Sequence, residues 1–433
     1  MSNFRLFLSA FLRTRNSSLL NNAFYLMLSN ATTNLIGFVF WSIMAGFFLP
    51  AQVGIGSALV SASSLVALLS GLGLRIGLIR FVAETSERAG LLINSAFTIV
   101  SLISVIGAIT YLAGINYWSP ALVFVRENMV FLLLFIIFTA AAALSNLTDG
   151  SIIAGRVAKY VFWKNTIISV LKIPLPLLMF AHFDGFGIFA GMGTSFIVGV
   201  LISWFFFLPK AYKGYYPRPV IAKSIMQKVL PYSFANYMAN LLNLSPQFIY
   251  PLMVLNILGP ENSAYFYISW MMTMVLAIIP NGVSSSLLAE GSREPKRLGR
   301  DGRKVLLLSL GISIPAAVCM MLLGGWLLHF FGPAYEENGT TVIRYLALAV
   351  IPQCVNTLYI TVNQVKKQNH LIIAQTSFLA IVALGVGYWW LGCIGLPGIG
   401  MAYLTAHLLL SIVVIRPLWI ALKDNSQVTS ASA

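Results

Sequence analysis

The sequence predicts an all-α polytopic membrane protein in which twelve transmembrane helices form two six-helix bundles, related by a parallel internal repeat, around a central cavity. Of the 433 residues, 58% are hydrophobic and only 9% are charged, and the mean hydropathy of +0.85 lies far above that of soluble domains. Twelve segments reach the roughly 20 residues that a helix needs to cross a bilayer. A stretch of the first half recurs in the second half.

The apolar segments follow one another with short connections. The predicted spans are 23–49, 55–82, 91–118, 129–147, 161–181, 186–208, 232–258, 264–289, 305–331, 342–362, 371–391 and 398–421. They divide into an N-terminal bundle within 19–209 and a C-terminal bundle within 230–422. Residues 1–18 place Phe and Leu at helical spacing among three arginines, which predicts a cytoplasmic interfacial helix. Residues 210–229 are predicted as a basic cytoplasmic linker and residues 423–433 as a disordered cytoplasmic tail.

Most of the positive charge follows the membrane topology. The net charge is +15, and all but four of the 27 Lys and Arg residues lie near the termini or in alternate connections. Cytoplasmic loops carry an excess of Lys and Arg, so both termini are predicted to be cytoplasmic in a protein of the inner cell membrane. Nucleic acid is not expected as a partner. The four exceptions are Arg126, in an outer loop, and Arg75, Lys172 and Arg344, within apolar segments.

The internal duplication is visible in the stretch from Pro50 to Glu84. This stretch recurs in weaker form from Leu258 to Glu294, at an offset of about 210 residues that aligns Pro50 with Pro260. Each half then holds six spans. Because six is even, the halves share one orientation and are related by an axis along the membrane normal, as in some transporters.

The predicted cavity residues are amides at helical spacing in spans one and seven. Those of span seven follow at steps of four, three and four residues, so they project from one helix face. The residues are Asn30, Asn34, Asn236, Asn240, Asn243 and Gln247. Such side chains either hydrogen-bond neighbouring helices or line a polar cavity. The presence of a matching stripe in both halves favours the cavity.

Three cations in apolar segments are further candidates for binding an anionic substrate. Lys172 lies near the predicted bilayer midplane, where its ammonium either attracts an anion or is solvated by carbonyls freed at Pro174 and Pro176. Arg75 lies near the cytoplasmic end of span two and Arg344 near the outer end of span ten. Either arginine could contact substrate or reach lipid headgroups.

Acidic and metal-binding chemistry is sparse. Glu84, Asp149 and Glu290 lie at predicted cytoplasmic helix ends, and no carboxylate occupies the middle of a span, so a carboxylate relay for protons or sodium has no evident position. His329 and His407 are either proton carriers or structural. The chain has no enzyme motif, no metal-ligand cluster and no disulfide framework, so we predict a protein that is not an enzyme and has neither cofactor nor metal.

Two stretches carry a resemblance to a known family. LPAQVGIGSALVSASSLVALLSGLGLRIGLIRF, within 49–81, resembles the second-helix region of oligosaccharide flippases of the polysaccharide-biosynthesis (Wzx-like) family. The segment from Phe331 to His370 looks like the tenth helix and following basic loop of that family. The family belongs to the multidrug, oligosaccharidyl-lipid and polysaccharide exporter superfamily. Its multidrug members carry mid-membrane carboxylates, from which this chain departs.

The resemblance implies a V-shaped pair of bundles that moves a polyprenyl-diphosphate-linked oligosaccharide to the outer leaflet by alternating access, for surface polysaccharide or glycan biosynthesis. Lys172 and Arg75 would then contact the diphosphate, and the amides the sugar or diphosphate oxygens. A monomer surrounded by membrane lipids is expected, with a polysaccharide polymerase or glycosyltransferase as partner. The alternatives are a multidrug or small-molecule antiporter of the same fold, a membrane-embedded glycosyltransferase or polymerase, and a scaffold without transport.

Overall fold

The computed structural model describes residues 18–84, 88–294 and 297–423, without the side chains of residues 18–20, 83, 235 and 236. The predicted interfacial helix and tail therefore lie outside the described residues except for Ser18 and Lys423. The described chain contains no strand. Its principal helices are α1 (Ser18–Phe47), α2 (Pro50–Ser70), α3 (Leu74–Glu84), α4 (Ala89–Ala113), α5 (Met129–Ala154), α6 (Lys159–Leu171), α7 (Pro174–Leu178), α8 (Asp184–Ile202), α9 (Lys223–Leu258), α10 (Pro260–Arg293), α11 (Leu298–His329), α12 (Pro333–Val365), α13 (Asn369–Ile394) and α14 (Pro397–Lys423).

Twelve helical segments of the described chain are long and apolar enough to cross a membrane. The predicted all-α polytopic fold with twelve spans is confirmed. Prolines open five of the helices that begin after a short turn, where the missing N–H costs no hydrogen bond. These prolines are Pro50, Pro174, Pro260, Pro333 and Pro397.

The predicted continuous span 55–82 is wrong, because the chain breaks between α2 and α3. Leu72 and Gly73 have φ values of 46° and 70°. A Cβ at Gly73 would lie 2.3 Å from the carbonyl oxygen of Ser233, so this approach requires glycine. The apolar span therefore ends at Ser70, and Arg75 lies beyond it at the start of α3.

Contacts divide the chain into two compact units. The first unit comprises Met1–Met44 and Ala62–Tyr237, and the second comprises Ala45–Ser61 and Met238–Ala433. In the first unit α5 is the central helix and contacts α3, α4, α6 and α8. In the second unit α12 holds the same place and contacts α10, α11, α13 and α14. Because α5 and α12 are each the fourth span of their half, this common arrangement agrees with the internal repeat.

The predicted linker is in part an ordered strap, residues 212–222, on the first unit. Tyr212 donates its hydroxyl to the Ser151 carbonyl at 2.6 Å, and Asn94 donates its amide to the Tyr216 carbonyl at 2.9 Å. The hydroxyls of α4 also accept from strap N–H groups. Tyr215, a residue of the strap, is buried, and this burial raises the pKa of its phenol, which stays neutral.

We expect the double substitution Ser95→Ala and Thr98→Val to loosen the strap. It removes the acceptors of the Ala222 and Val220 N–H groups, which lie 2.9 and 3.1 Å from the two hydroxyl oxygens. At about 1 kcal/mol for each of the two lost bonds, hydrogen exchange in residues 217–222 should accelerate about thirtyfold. Mass spectrometry of exchange in detergent measures this effect.

The matched control is Ser104→Ala. Ser104 lies on the same helix and donates within it, to the Ser101 carbonyl at 2.9 Å. Equal exchange rates in the control and the double variant would show that the side chains of α4 do not hold the strap.

Candidate functional site

The second unit contains a cavity of about 500 Å³ lined by α9, α10, α12, α13 and α14. None of the described residues that line it is Asp, Glu, Lys or Arg. Its polar surface is dominated by carboxamides, namely Asn243, Gln247, Asn281, Gln353, Asn356, Gln364 and Gln375. Hydroxyl groups of Ser, Thr and Tyr add to this surface. The cavity is therefore polar but without formal charge, which suits a neutral ligand with many hydrogen-bonding groups.

The central helix α12 supplies one wall. Gln353, Thr357, Thr361 and Gln364 follow one another at steps of four, four and three residues, so they share a helix face. All four line the cavity. This stripe was not identified from the sequence, although its steps of three and four residues are typical of one helix face, as are those of span seven.

A hydrogen-bond network is centred on Asn356 in the cavity lining. The Asn356 amide nitrogen lies 3.0 Å from the His407 carbonyl oxygen and 3.1 Å from His407 Nδ1. Gln375 donates from its amide nitrogen to the Asn356 carbonyl at 2.8 Å. All three residues are buried. Side chains held by several helices in this way keep their geometry when a ligand enters.

The structure brings only part of the span-seven stripe to this cavity. Asn243 and Gln247 line it, whereas Asn240 is exposed and is not among its lining residues. The side chain of Asn236 lies outside the described residues. Arg344 is also exposed, away from the lining, with its Nε donating to the Met321 carbonyl at 3.4 Å.

In the first unit, Lys172 lies at the break between α6 and α7 and is 8% exposed. Its ammonium lies 5.2 Å from the centroid of the Phe40 ring and faces Gly37, where a Cβ would be 3.9 Å away. Among the described residues no carboxylate lies within 4 Å of it. The ammonium thus makes a cation–π contact and has no carboxylate partner in the described part of the chain. Asn30 and Asn34, on the same helix as Gly37 and Phe40, are exposed.

Arg75 is exposed, and its stem packs on α5. A Cβ at Gly150 would lie 2.7 Å from Arg75 Cγ. The neighbouring Asp149 forms an ion pair with Lys164 at 2.6 Å. Arg75 therefore lies beside a buried charged pair.

Lys164 corrects the sequence assignment of the loop charges. The basic run from Arg156 to Lys164 predicts that Lys164 is a charge of a cytoplasmic loop. In the structure Lys164 lies inside α6 and its side chain is fully buried. Its ammonium donates to the Ser145 carbonyl at 2.8 Å and contacts the hydroxyls of Ser145 and Thr148 at 3.2 Å each. Of the two histidines considered as proton carriers, His407 lines the cavity. His329 is exposed, and its Nδ1 lies 2.7 Å from Glu336 Oε2.

The polysaccharide biosynthesis protein family matches residues 19–245, more than half of the chain, and the MatE family matches residues 236–389. The chain belongs to the polysaccharide biosynthesis protein family. No curated protein matches it in a sequence search.

Solved structures of several membrane transporters share the fold of this chain. The lipid II flippase MurJ in an inward closed conformation aligns with a TM-score of 0.72 at 13% identity, covering 93% of this chain and 90% of MurJ. An inward-facing multidrug resistance MATE transporter of the MOP superfamily aligns with a TM-score of 0.68 at 16% identity, covering 94% and 99%. A MOP superfamily transporter from Pyrococcus furiosus, described as having a binding pocket of reverse polarity, gives a TM-score of 0.61 at 15% identity, covering 95% and 96%.

The match over more than half of the chain confirms the suspected polysaccharide-biosynthesis family. The chain is a multi-pass membrane protein whose fold is that of the aligned transporters and flippase. At these identities the structures establish the fold alone. The choice of substrate must be argued from the residues of this chain.

Proposed function

We propose that the protein is a flippase that moves a polyprenyl-diphosphate-linked oligosaccharide from the cytoplasmic to the outer leaflet of the inner cell membrane by alternating access. The observation that carries the proposal is the uncharged, amide-rich lining of the second-unit cavity. Sugars offer many neutral hydroxyls, and carboxamides both donate to and accept from them. A multidrug antiporter that takes cations would favour a carboxylate in such a lining.

Cations of the first unit would bind the diphosphate of the substrate. Lys172 carries an ammonium without a nearby carboxylate in the described chain, and Arg75 adds a second cation. A buried ammonium attracts phosphate strongly because solvent screens it little. Both termini would be cytoplasmic, and a polymerase or glycosyltransferase of surface polysaccharide synthesis would act alongside the protein.

The antiporter remains the second candidate because the MatE family matches part of the second half. The two functions differ in what crosses the membrane. A flippase transfers a lipid headgroup between leaflets, whereas an antiporter moves a soluble compound against a proton or sodium gradient.

Transfer can be measured in proteoliposomes that contain a labelled polyprenyl-diphosphate oligosaccharide. Sugar that leaves the outer leaflet becomes protected from a membrane-impermeant oxidant. We expect the protein to exchange the labelled lipid much faster than protein-free vesicles do. Gradient-driven uptake of a cationic dye without lipid exchange would instead establish the antiporter.

Lys172→Gln should slow this exchange about tenfold, because the loss of one poorly screened attraction to the diphosphate is worth at least about 1.4 kcal/mol. Arg75→Gln, at an exposed position, should have a smaller effect. Lys159→Gln is the matched control. Lys159 is an exposed lysine at the start of α6, the helix that ends directly before Lys172. Normal exchange in both Lys172→Gln and Arg75→Gln would contradict the role in binding diphosphate.

A further inference from the structure

Several buried polar atoms around the cavity lack partners within the described chain. They are His407 Nε2, Gln375 Oε1, Trp270 Nε1 and Gln353 Oε1, and all four residues line the cavity. His407, Gln375 and Trp270 are at most 5% exposed. Buried polar groups without partners cost free energy, so a set of them around one cavity points to a ligand that supplies the missing bonds.

The hydrogen-bonding role of His407 follows from its neighbour. The Asn356 amide nitrogen lies 3.0 Å from the His407 carbonyl oxygen, which can only accept, so the orientation of this amide is fixed. The same nitrogen lies 3.1 Å from His407 Nδ1, which must then accept as well. The neutral ring therefore carries its hydrogen on Nε2. The unpartnered atom of His407 is a donor.

Gln375 is oriented by the same reasoning. Its amide nitrogen lies 2.8 Å from the Asn356 carbonyl oxygen, so nitrogen and not oxygen occupies that position. Gln375 Oε1 is left as an unpartnered acceptor. Gln353 Oε1 is a second acceptor, and the Trp270 indole is a second donor.

Aromatic rings lie next to these atoms. The Trp270 ring centroid lies 4.9 Å from that of Tyr403, which lies 4.6 Å from that of His407. Rings of this kind offer apolar surface for the C–H faces of a ligand. The unpartnered donors and acceptors beside them can hydrogen-bond its polar groups. Hydroxyl groups are matched to this set because each can donate and accept.

We infer that His407, Gln375, Gln353 and Trp270 form a subsite for an uncharged sugar ring, with the two donors and two acceptors bonding its hydroxyls. This inference rests on the proposed function and deepens it by assigning the sugar part of the substrate to the second unit. Cationic and anionic compounds are disfavoured because none of the described residues that line the cavity is Asp, Glu, Lys or Arg.

Binding can be tested on the purified full-length protein in detergent. The probes are the free monosaccharides glucose, galactose, mannose, rhamnose and N-acetylglucosamine, followed by saturation-transfer NMR. We expect at least one to bind weakly. Gln353→Leu should weaken its binding about tenfold, and so should Gln375→Met. Asn338→Ala, which removes an exposed amide of α12 outside the cavity, should bind as the wild type does.

Gln353→Leu is expected to fold normally, because it breaks no hydrogen bond seen in the described chain. A loss of binding in this variant is therefore not explained by misfolding. Monodeoxy analogues of the bound sugar then identify the contacts. Removing the hydroxyl that meets Gln353 should weaken binding to the wild type but not to Gln353→Leu. Equal binding to the wild type and both cavity variants, or no sugar binding at all, would overturn the subsite.

The two proposals fail separately. If the labelled lipid exchanges in proteoliposomes but no sugar shows binding that depends on the cavity variants, the subsite is wrong and the flippase stands. If a sugar binds with this dependence but no lipid exchanges, the flippase is wrong and the subsite stands.

Discussion

Replacing Lys164 with Gln is expected to lower the free energy of unfolding by about 3–5 kcal/mol, the usual cost of leaving one member of a buried ion pair alone. The Lys164 side chain is fully buried, and that of Asp149, 2.6 Å away, is only 14% exposed. Glutamine can keep the bond to the Ser145 carbonyl but cannot neutralise the carboxylate. SDS titration in mixed micelles, followed by tryptophan fluorescence, measures the loss.

The internal repeat supplies the control. Lys164 donates to the carbonyl of Ser145, 19 residues earlier, and Gln375 donates to the carbonyl of Asn356, also 19 residues earlier. The offset of 211 residues that relates these pairs places Ile360 opposite Asp149. The double variant Lys164→Gln and Asp149→Ile thus reproduces the uncharged arrangement of the second unit. It should regain most of the lost stability, because neither charge of this ion pair is left buried without the other.

A double variant as unstable as Lys164→Gln would mean that the lysine acts mainly through its bonds to Ser145 and Thr148. The same comparison separates stability from transport. If the double variant is stable and still exchanges lipid, the ion pair is structural. If it is stable but inactive, the charged pair of the first unit takes part in transport.

Composition predicted the fold because the requirement for apolar spans of about 20 residues holds whatever the helices contact. The break at Gly73 was not predicted, since the close approach of Ser233 at this point comes from a helix more than 150 residues away. Lys164 was misassigned for the same reason. Its position near a basic connection suggests a loop charge, and only the neighbouring α5 shows that it is buried and paired.

In the candidate site, too, some residues could be predicted from the sequence and others could not. Asn243 and Gln247 could be predicted because repeated amides on one helix face stand out in an apolar span. Single residues such as Gln375 and His407 could not, because the pattern of one helix says nothing of its partners on another. Lys172 was located correctly as a charge within an apolar segment, whereas its contact with Phe40 required the packing of α1 against α6.

Gly54→Ala is the second substitution for which we expect a large effect, a loss of about 3 kcal/mol or more, at or above the upper end for overpacked cores. A Cβ at Gly54 would lie 1.7 Å from the carbonyl oxygen of Pro260 and 3.2 Å from the Ala264 nitrogen. Both are backbone atoms in the first turns of α10, so no side-chain rotation can relieve the collision. The 210-residue offset aligns Gly54 with Ala264, which means that equivalent positions of the repeated stretch meet here within the second unit.

The close approach leaves room for a methyl group on only one of these two equivalent positions, and Ala264 already carries it. Gly282→Ala is the control, because a Cβ there meets no atom within 4 Å and alanine favours the helix by about 0.5–1 kcal/mol. SDS titration should therefore show Gly54→Ala strongly destabilised and Gly282→Ala unchanged or more stable. Similar unfolding of Gly54→Ala and the wild type would show that Gly54 and the first turns of α10 do not pack as tightly as the structure places them.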